Sequence, residues 1–307
     1  MTGETFPYST AAAFRTALKD RFAEISRSRS DYTVDELQRQ FAYDRALARI
    51  FTSADAHRWV LKGAGALLAR LRHARHSKDI DVYFTEQNAE AVSAVEALRS
   101  ALDRDIGDFF RFEVTKVVPL QEEAKGSRVH VRTGLGPTAF SVFHIDVVVG
   151  TSMCGTPDLV APMTPLSIAG LVRPPYRTFP LADHLADKLC ATIGVYRTGR
   201  PTRSSTRIKD LVDIALIAST QRVSGPALRS AIIANAAHRE LVIPDKFAVP
   251  DEASWRRGYP KVAAGVPGTA PTFDEAVALA SALLNPAIRA PIKGEWDPLV
   301  SRWIERG

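Results

Sequence analysis

The sequence predicts a mixed α/β chain in two parts. Residues 1–155 read as an α/β domain with N-terminal helices and a mixed β-sheet, and 156–307 as a mainly helical domain. Three observations carry that division. A strand–glycine turn–helix–strand run spans "WVLKGAGALLARLRHARHSKDIDVYF". Three β-branched segments follow before Gly150, and helical periodicity prevails from Leu181 onward.

In chain order, Phe14, Leu18, Phe22 and Ile25 recur at helical spacing. The segment "DYTVDELQRQFAYDRALARIF" opens with Thr33 and Glu36 at capping-box spacing and continues as an amphipathic helix. Trp59 to Leu61 form a short strand, Ala66 to Leu71 a helix, and a second strand ends at Phe84. Residues 88–106 read as helix. "FRFEVTKVVPL", "RVHVRTGL" and "FSVFHIDVVVG" read as strands, the last with the composition of a central one. Beyond Gly150, "TPDLVAPMTPLSIAGLVRPPYRTFPL" is proline-rich and loop-like. "LADHLADKLCATIG", "RIKDLVDIALIA", "GPALRSAIIANAAHR" and "TFDEAVALASALLN" are helical.

Composition is that of an ordinary globular chain, with 46% hydrophobic and 24% charged residues. No apolar run reaches the ~18 residues of a membrane span. "MTGETFPYST" lacks a basic start and an apolar core, so no secretory signal is expected. Cys154 and Cys190 stand far apart without metal-ligand spacing. They are expected as reduced core thiols in a cytoplasmic protein. Net charge of +6 is compatible with polyanionic partners and proves none.

The chemistry is concentrated in "SKDIDVYF". Strand side chains alternate, so Asp79 and Asp81 share one face and Ile80 and Val82 the other. Their Cα atoms lie about 6.7 Å apart, where two ionised groups repel by about 2.5 kcal/mol at an effective dielectric near 20. Water or a bound cation would relieve that cost. Downstream, Asp146 is a single carboxylate inside the apolar strand "FHIDVVVG". Three carboxylates on neighbouring strands can hold two Mg²⁺ ions for phosphoryl transfer. The "KGAGAL" turn that opens a helix ahead of the pair supplies free backbone N–H groups suited to phosphate. Gly63 and Gly65 could equally serve tight strand–helix packing.

Strand, "KGAGAL", helix, "SKDIDV" and a later "HIDVVV" resemble, in that order, the polymerase-β-like nucleotidyltransferase superfamily. "WVLKGAGALLARL" followed by "HSKDIDVYF" is similar to the AbiEii-type toxins, including the MenT enzymes. The "ADKLCA" and "KDLVDI" helices fit the same family. The resemblance implies a bi-lobed, Mg²⁺-dependent nucleotidyltransferase with an NTP substrate and an RNA acceptor, the tRNA 3′ end. It also implies pyrophosphate release, growth arrest and a cognate antitoxin. Asp79, Asp81 and Asp146 are the implied metal ligands. Lys62, Gly63, Ala64 and Gly65 are the implied phosphate cradle, with Lys188 and Arg207 as nucleotide contacts and Asp210 as the group orienting Lys188 or the incoming hydroxyl. One departure stands out, since the family usually carries Ser or Thr in the turn where this chain has Ala64 and Gly65.

From pattern alone, Lys188 borders the stripe Leu181, Leu185, Leu189 and Ile193, a place for a snorkelling surface lysine. Asp210 and Asp213 share a helix face, and Asp213 is expected to be structural. Arg197, Arg200, Arg203, Arg207 and Lys209 form a basic stretch open to a solvated or a phosphate-binding role. A second basic cluster, Arg70 to Lys78, includes His73 and His76 without a third soft ligand. Trp255, Trp296 and Trp303 are expected in the core rather than stacked on bases. Two rival readings are a nucleotidyltransferase of a small molecule or protein, and an inactive nucleic-acid or partner-binding relative.

Overall fold

The computed structural model describes residues 5–29, 32–71, 74–75, 77–86, 88–120, 125–196 and 203–305. His73, His76, Arg197 and Arg200 lie outside the described residues, and Arg203 is placed by its backbone alone. The chain divides into two compact units. The first comprises Met1–Arg72, His76–Gly150 and Asp158–Thr178. The second comprises His73–Arg75, Thr151–Pro157 and Phe179–Gly307.

The first unit runs α1 (Ala11–Ser28), α2 (Val34–Phe51), β1 (Trp59–Lys62), α3 (Gly63–Arg70), β2 (Asp79–Phe84), α4 (Ala91–Leu102), β3 (Phe110–Pro119), β4 (Gly126–Leu135), β5 (Thr138–Val149), β6 (Asp158–Val160) and β7 (Tyr176–Thr178). Its strands form one sheet in the order β3-β4-β5-β2-β1-β7-β6. β2 is parallel to β5 and β1 to β7, and the remaining pairs are antiparallel. The mixed α/β class therefore follows directly. The expected division at 155/156 falls too early for this sheet, because Asp158–Val160 and Tyr176–Thr178 are strands of it.

Alternation sets the two sheet faces. On β4, Ser127, Val129, Val131, Thr133 and Leu135 are buried, while Arg128, His130 and Arg132 point the other way. On β5, Phe143, Ile145 and Val147 are buried in step with them. Helices α2 and α4 pack on this strand set. The capping box predicted at Thr33 and Glu36 is present, yet α2 is not amphipathic along its length. Every residue from Gln40 to Phe51 is buried.

Charge on a helix buried all round must be paired. Arg45 and Arg49 clasp Asp108, with Nε and Nη2 each 2.8 Å from a carboxylate oxygen. Their remaining N–H groups donate to the carbonyls of Val172, Arg104 and Phe110. Asp44 likewise accepts from the Met163 and Thr164 backbone N–H groups and from the Tyr176 hydroxyl. These charges tie α2 to the segments before β3 and β7. Burial alone would push the Asp108 carboxyl up, but Arg49 and Arg45 outweigh it and hold the group below the usual carboxylate value. A depressed folded value means stability present above the unfolded pKa of about 4 and lost as pH falls through the folded one. The urea midpoint should accordingly drop as pH falls below about 4, and Asp108→Asn should flatten that acid slope.

The second unit contains α5 (Leu181–Ile193), α6 (Ile208–Thr220), α7 (Gly225–His238), α8 (Glu252–Ala263) and α9 (Phe273–Arg289). Helix α6 is its centre, buried from Asp210 to Ala218 and packed against α5, α8 and α9. Small antiparallel pairings join Val223–Ser224, Glu295–Asp297 and Arg302–Ile304. Trp255 and Trp296 are buried, and the indole N–H groups of Trp255, Trp296 and Trp303 donate to the carbonyls of Ser205, Ala218 and Leu283. The tryptophans are thus packing residues. Cys190 is buried as expected, whereas Cys154 is exposed, on a stretch whose backbone N–H groups bind Asp183.

Candidate functional site

Register gathers the predicted carboxylates of the first unit. Asp81 of β2 lies directly opposite Asp146 of β5, and Asp79 opposite His144. Lys62 of β1 faces Asp81 on the other side, and Arg128 of β4 faces Asp146. One row across four strands therefore reads Arg128, Asp146, Asp81, Lys62, a carboxylate pair between two cations. A second row sets Asp79 beside His144 and His130, whose rings are 4.3 Å apart. On β2, Ile80 and Val82 are fully buried while Asp79 and Asp81 are half-buried, as strand alternation requires.

The glycine turn meets this row at Gly63. Helix α3 begins there, straight after β1, with no side-chain cap on its first turn. Gly63 has φ of +61°, and a Cβ built on it would stand 1.9 Å from Oδ2 of Asp81. The absent side chain thus leaves the space that the Asp81 carboxylate fills. Ala64 and Gly65 continue the turn, and Ala64 is buried. Ser77 Oγ donates to Asp79 Oδ1 at 3.0 Å and fixes that carboxylate's orientation.

Asp146 is held differently from the other two. It is only 7% exposed, and both its oxygens accept from Arg128, from Nε at 2.8 Å and from Nη2 at 2.7 Å. Asp146, with smaller contributions from Asp79 and Asp81, raises the Arg128 guanidinium further above its usual value. Asp79 and Asp81 offer hard oxygen donors on one face, and Mg²⁺ is commonly held by one or two carboxylates together with substrate phosphates. That pair fits such an ion. Asp146 differs from them in that Arg128 already occupies one acceptor position on each of its oxygens. Among the described residues, no group of three or more His, Cys, Asp or Glu could hold a metal ion.

The second unit carries its own charged cluster. Lys188 of α5 is 5% exposed and so is no snorkelling surface residue. Its ammonium donates to Asp210 at 3.1 Å and to Asp213. Arg75 also pairs with Asp213, at 3.2 Å, and Arg207 places Nε 2.8 Å from Asp210. Burial pushes the Lys188 ammonium down, but Asp213 and then Asp210 outweigh it and hold it above its usual value. Burial pushes Asp213 up, and Lys188 and Arg75 more than reverse that. Lys188 and Asp213 therefore hold each other in their charged forms.

Sequence reading missed Arg128 and did not separate Arg75 from its basic neighbours. The outward alternation of "RVHVR" was the available signal for Arg128, but only the β4–β5 register shows which carboxylate it meets.

The family model described as "Nucleotidyl transferase AbiEii toxin, Type IV TA system" matches residues 45–279. Among solved structures, MenT4, a nucleotidyltransferase toxin from Mycobacterium tuberculosis H37Rv, is 16% identical, with 92% of this chain and 99% of that chain covered at a TM-score of 0.53. JHP933 from Helicobacter pylori is 15% identical, with 84% and 93% covered and a TM-score of 0.44. No curated protein matches the sequence. Among the described residues, no helix is long and apolar enough to cross a membrane.

Proposed function

From the premise that the chain belongs to the AbiEii family of nucleotidyltransferase toxins of type IV toxin–antitoxin systems, we propose that it transfers a nucleoside monophosphate from an NTP to RNA. The acceptor in this reading is the 3′ end of tRNA, the outcome is blocked translation in the cytoplasm, and a cognate antitoxin restrains it. The observation that carries the reading is the Asp79–Asp81 face, with the Gly63 turn packed directly on Asp81.

The acceptor hydroxyl oxygen attacks the α-phosphorus, a P–O bond forms, and the α–β anhydride bond breaks to release pyrophosphate. The hydroxyl proton passes to a carboxylate of the Asp79–Asp81 pair. Mg²⁺ held by that pair would supply charge neutralisation on the phosphates. Gly63 leaves room for Asp81 and begins the uncapped helix turn whose N–H groups suit phosphate oxygens. The assignment of Lys188 to phosphate, and of Asp210 to its orientation, follows the motif resemblance. In the structure that ammonium is buried and donates to Asp210 and Asp213. The missing turn hydroxyl leaves backbone donors to hold the nucleotide at Ala64 and Gly65.

The test is incorporation of each α-labelled NTP into total tRNA with Mg²⁺, with Asp81→Ala as the comparison. Wild-type labelling that the variant lacks is the expected result, and it also names the nucleotide. No labelling by wild type with any of the four NTPs would sink the RNA reading. Labelling that survives a rise in salt without loss would favour a small acceptor, because an RNA contact weakens steeply with salt.

A further inference from the structure

The arrangement around Asp146 points to a role for that residue other than holding metal. We propose that Asp146 is a positioning residue for Arg128, and that Arg128 receives the phosphate oxygens of the nucleoside triphosphate. This rests on the nucleotidyl-transfer reading and adds a phosphate-binding residue to it.

Four observations support the assignment. First, Arg128 and Asp146 are direct Cα partners of an antiparallel pair, so the backbone register, and not a chance side-chain reach, brings them together. Second, the pairing is bidentate and side-on, engaging Nε and Nη2. No described residue accepts from Nη1, so one edge of the guanidinium is clamped while the other stays open. Third, the burial is uneven. The Asp146 side chain is 10% exposed and that of Arg128 is 40% exposed, the pattern of a buried anchor carrying an accessible cation. Fourth, the next carboxylate along the row is Asp81, whose backbone neighbours Asp146 across the β2–β5 pair. A triphosphate sharing a cation with Asp79 and Asp81 would therefore have a fixed guanidinium, carried by β4, two strands along the same row.

In the contrary arrangement, with Asp146 as a third metal ligand, the cation would share a carboxylate whose oxygens already accept from Arg128 and would stand close to that guanidinium's like charge. Arginine in a fixed fork is well suited to phosphate, and a carboxylate behind it removes the cost of ordering the side chain on binding.

The experiment uses the full chain and inorganic tripolyphosphate as the probe, titrated calorimetrically with Mg²⁺ present. Mn²⁺ binding is followed separately by electron paramagnetic resonance. Arg128→Ala should weaken tripolyphosphate binding about ten- to a hundredfold, the scale of a charge-assisted hydrogen bond. Asp146→Asn should weaken it in the same direction, and the double variant should be no worse than Arg128→Ala. Mn²⁺ affinity should survive in Arg128→Ala and Asp146→Asn and be lost in Asp79→Asn. Arg128→Lys, which keeps the charge but not the fork, should fall between wild type and Arg128→Ala, and it serves if the alanine variant does not fold. Tripolyphosphate binding that is absent in wild type or unchanged in Arg128→Ala would overturn the proposal, as would loss of Mn²⁺ in Asp146→Asn. A wild type that binds tripolyphosphate through Arg128 yet labels no RNA would remove the RNA reading and leave this one standing. RNA labelling that Arg128→Ala leaves intact would do the reverse.

Discussion

Gly63→Ala should abolish nucleotide transfer to the level of the Asp81→Ala variant while leaving a folded protein. Two independent effects converge on that position. The backbone there has φ of +61°, which costs a residue with a Cβ about 1–2 kcal/mol. The Cβ would also stand 1.9 Å from Asp81 Oδ2 and 2.7 Å from Asp81 Cγ. Either the turn or the carboxylate must move, and the carboxylate is the softer of the two because its side chain is only half-buried. Displacing a reacting group by about 1 Å can cost on the order of a hundredfold in rate. The cation and the phosphates depend on the same contact, so the expected loss is larger than that, on the order of a thousandfold. Labelling kinetics and a urea titration separate the two effects, with a large fall in rate and a stability loss of only about 1–2 kcal/mol. An active Gly63→Ala enzyme would mean that Asp81 does not work from the position it occupies here.

The sequence disclosed the centre of this site more readily than its surroundings. The D-x-D alternation, the glycine turn and the strand carrying Asp146 are all local patterns, and each lies on the element expected for it. The partnership of Asp146 with Arg128 is not local. It depends on which residues of β4 and β5 face each other, and that register includes an irregularity between Thr133 and Gly134 that no periodicity shows. The division at 155/156 missed β6 and β7 because three-residue strands carry too little alternation to be read. Helix α8 was missed for a related reason. It is mostly exposed, with Trp255, Tyr259 and Ala263 its only buried residues, and Pro260 lies inside it. Charge misled at two places. By pattern alone, apart from the family resemblance that assigns it to the nucleotide, Lys188 looked like a surface residue, and α2 looked like an amphipathic helix, because a sequence does not show the counter-charges that make burial possible.

Those counter-charges give the second large prediction. Asp213→Ala should destabilise the protein by about 3–5 kcal/mol, the cost of leaving buried charge uncompensated. Asp213 has no exposed side-chain surface and accepts from both Lys188 and Arg75. Removing it leaves Lys188 with Asp210 alone, and leaves Arg75 without the carboxylate it pairs with. Asp210→Ala should behave differently. Its second partner, Arg207, is about half-exposed and can return to water, while Asp213 still holds Lys188. A stability loss of about 1–3 kcal/mol is expected there, that of a single unmet hydrogen-bonding charge. If Asp210 orients Lys188 as the resemblance implies, its variant should lose transfer activity out of proportion to that stability loss. Urea unfolding and labelling, measured on both variants, read the two roles separately. The pH dependence supplies a check with a fixed sign. The depressed Asp213 value contributes stability above a pH of about 4 that is lost on acidification, and the raised Lys188 value contributes stability that is lost only as pH climbs past about 10. Asp213→Ala should weaken both limbs, because removing the aspartate takes away its own titration and the largest influence that raises its lysine. An Asp213→Ala protein as stable as wild type would show that the ionised network is not what holds α5 to α6.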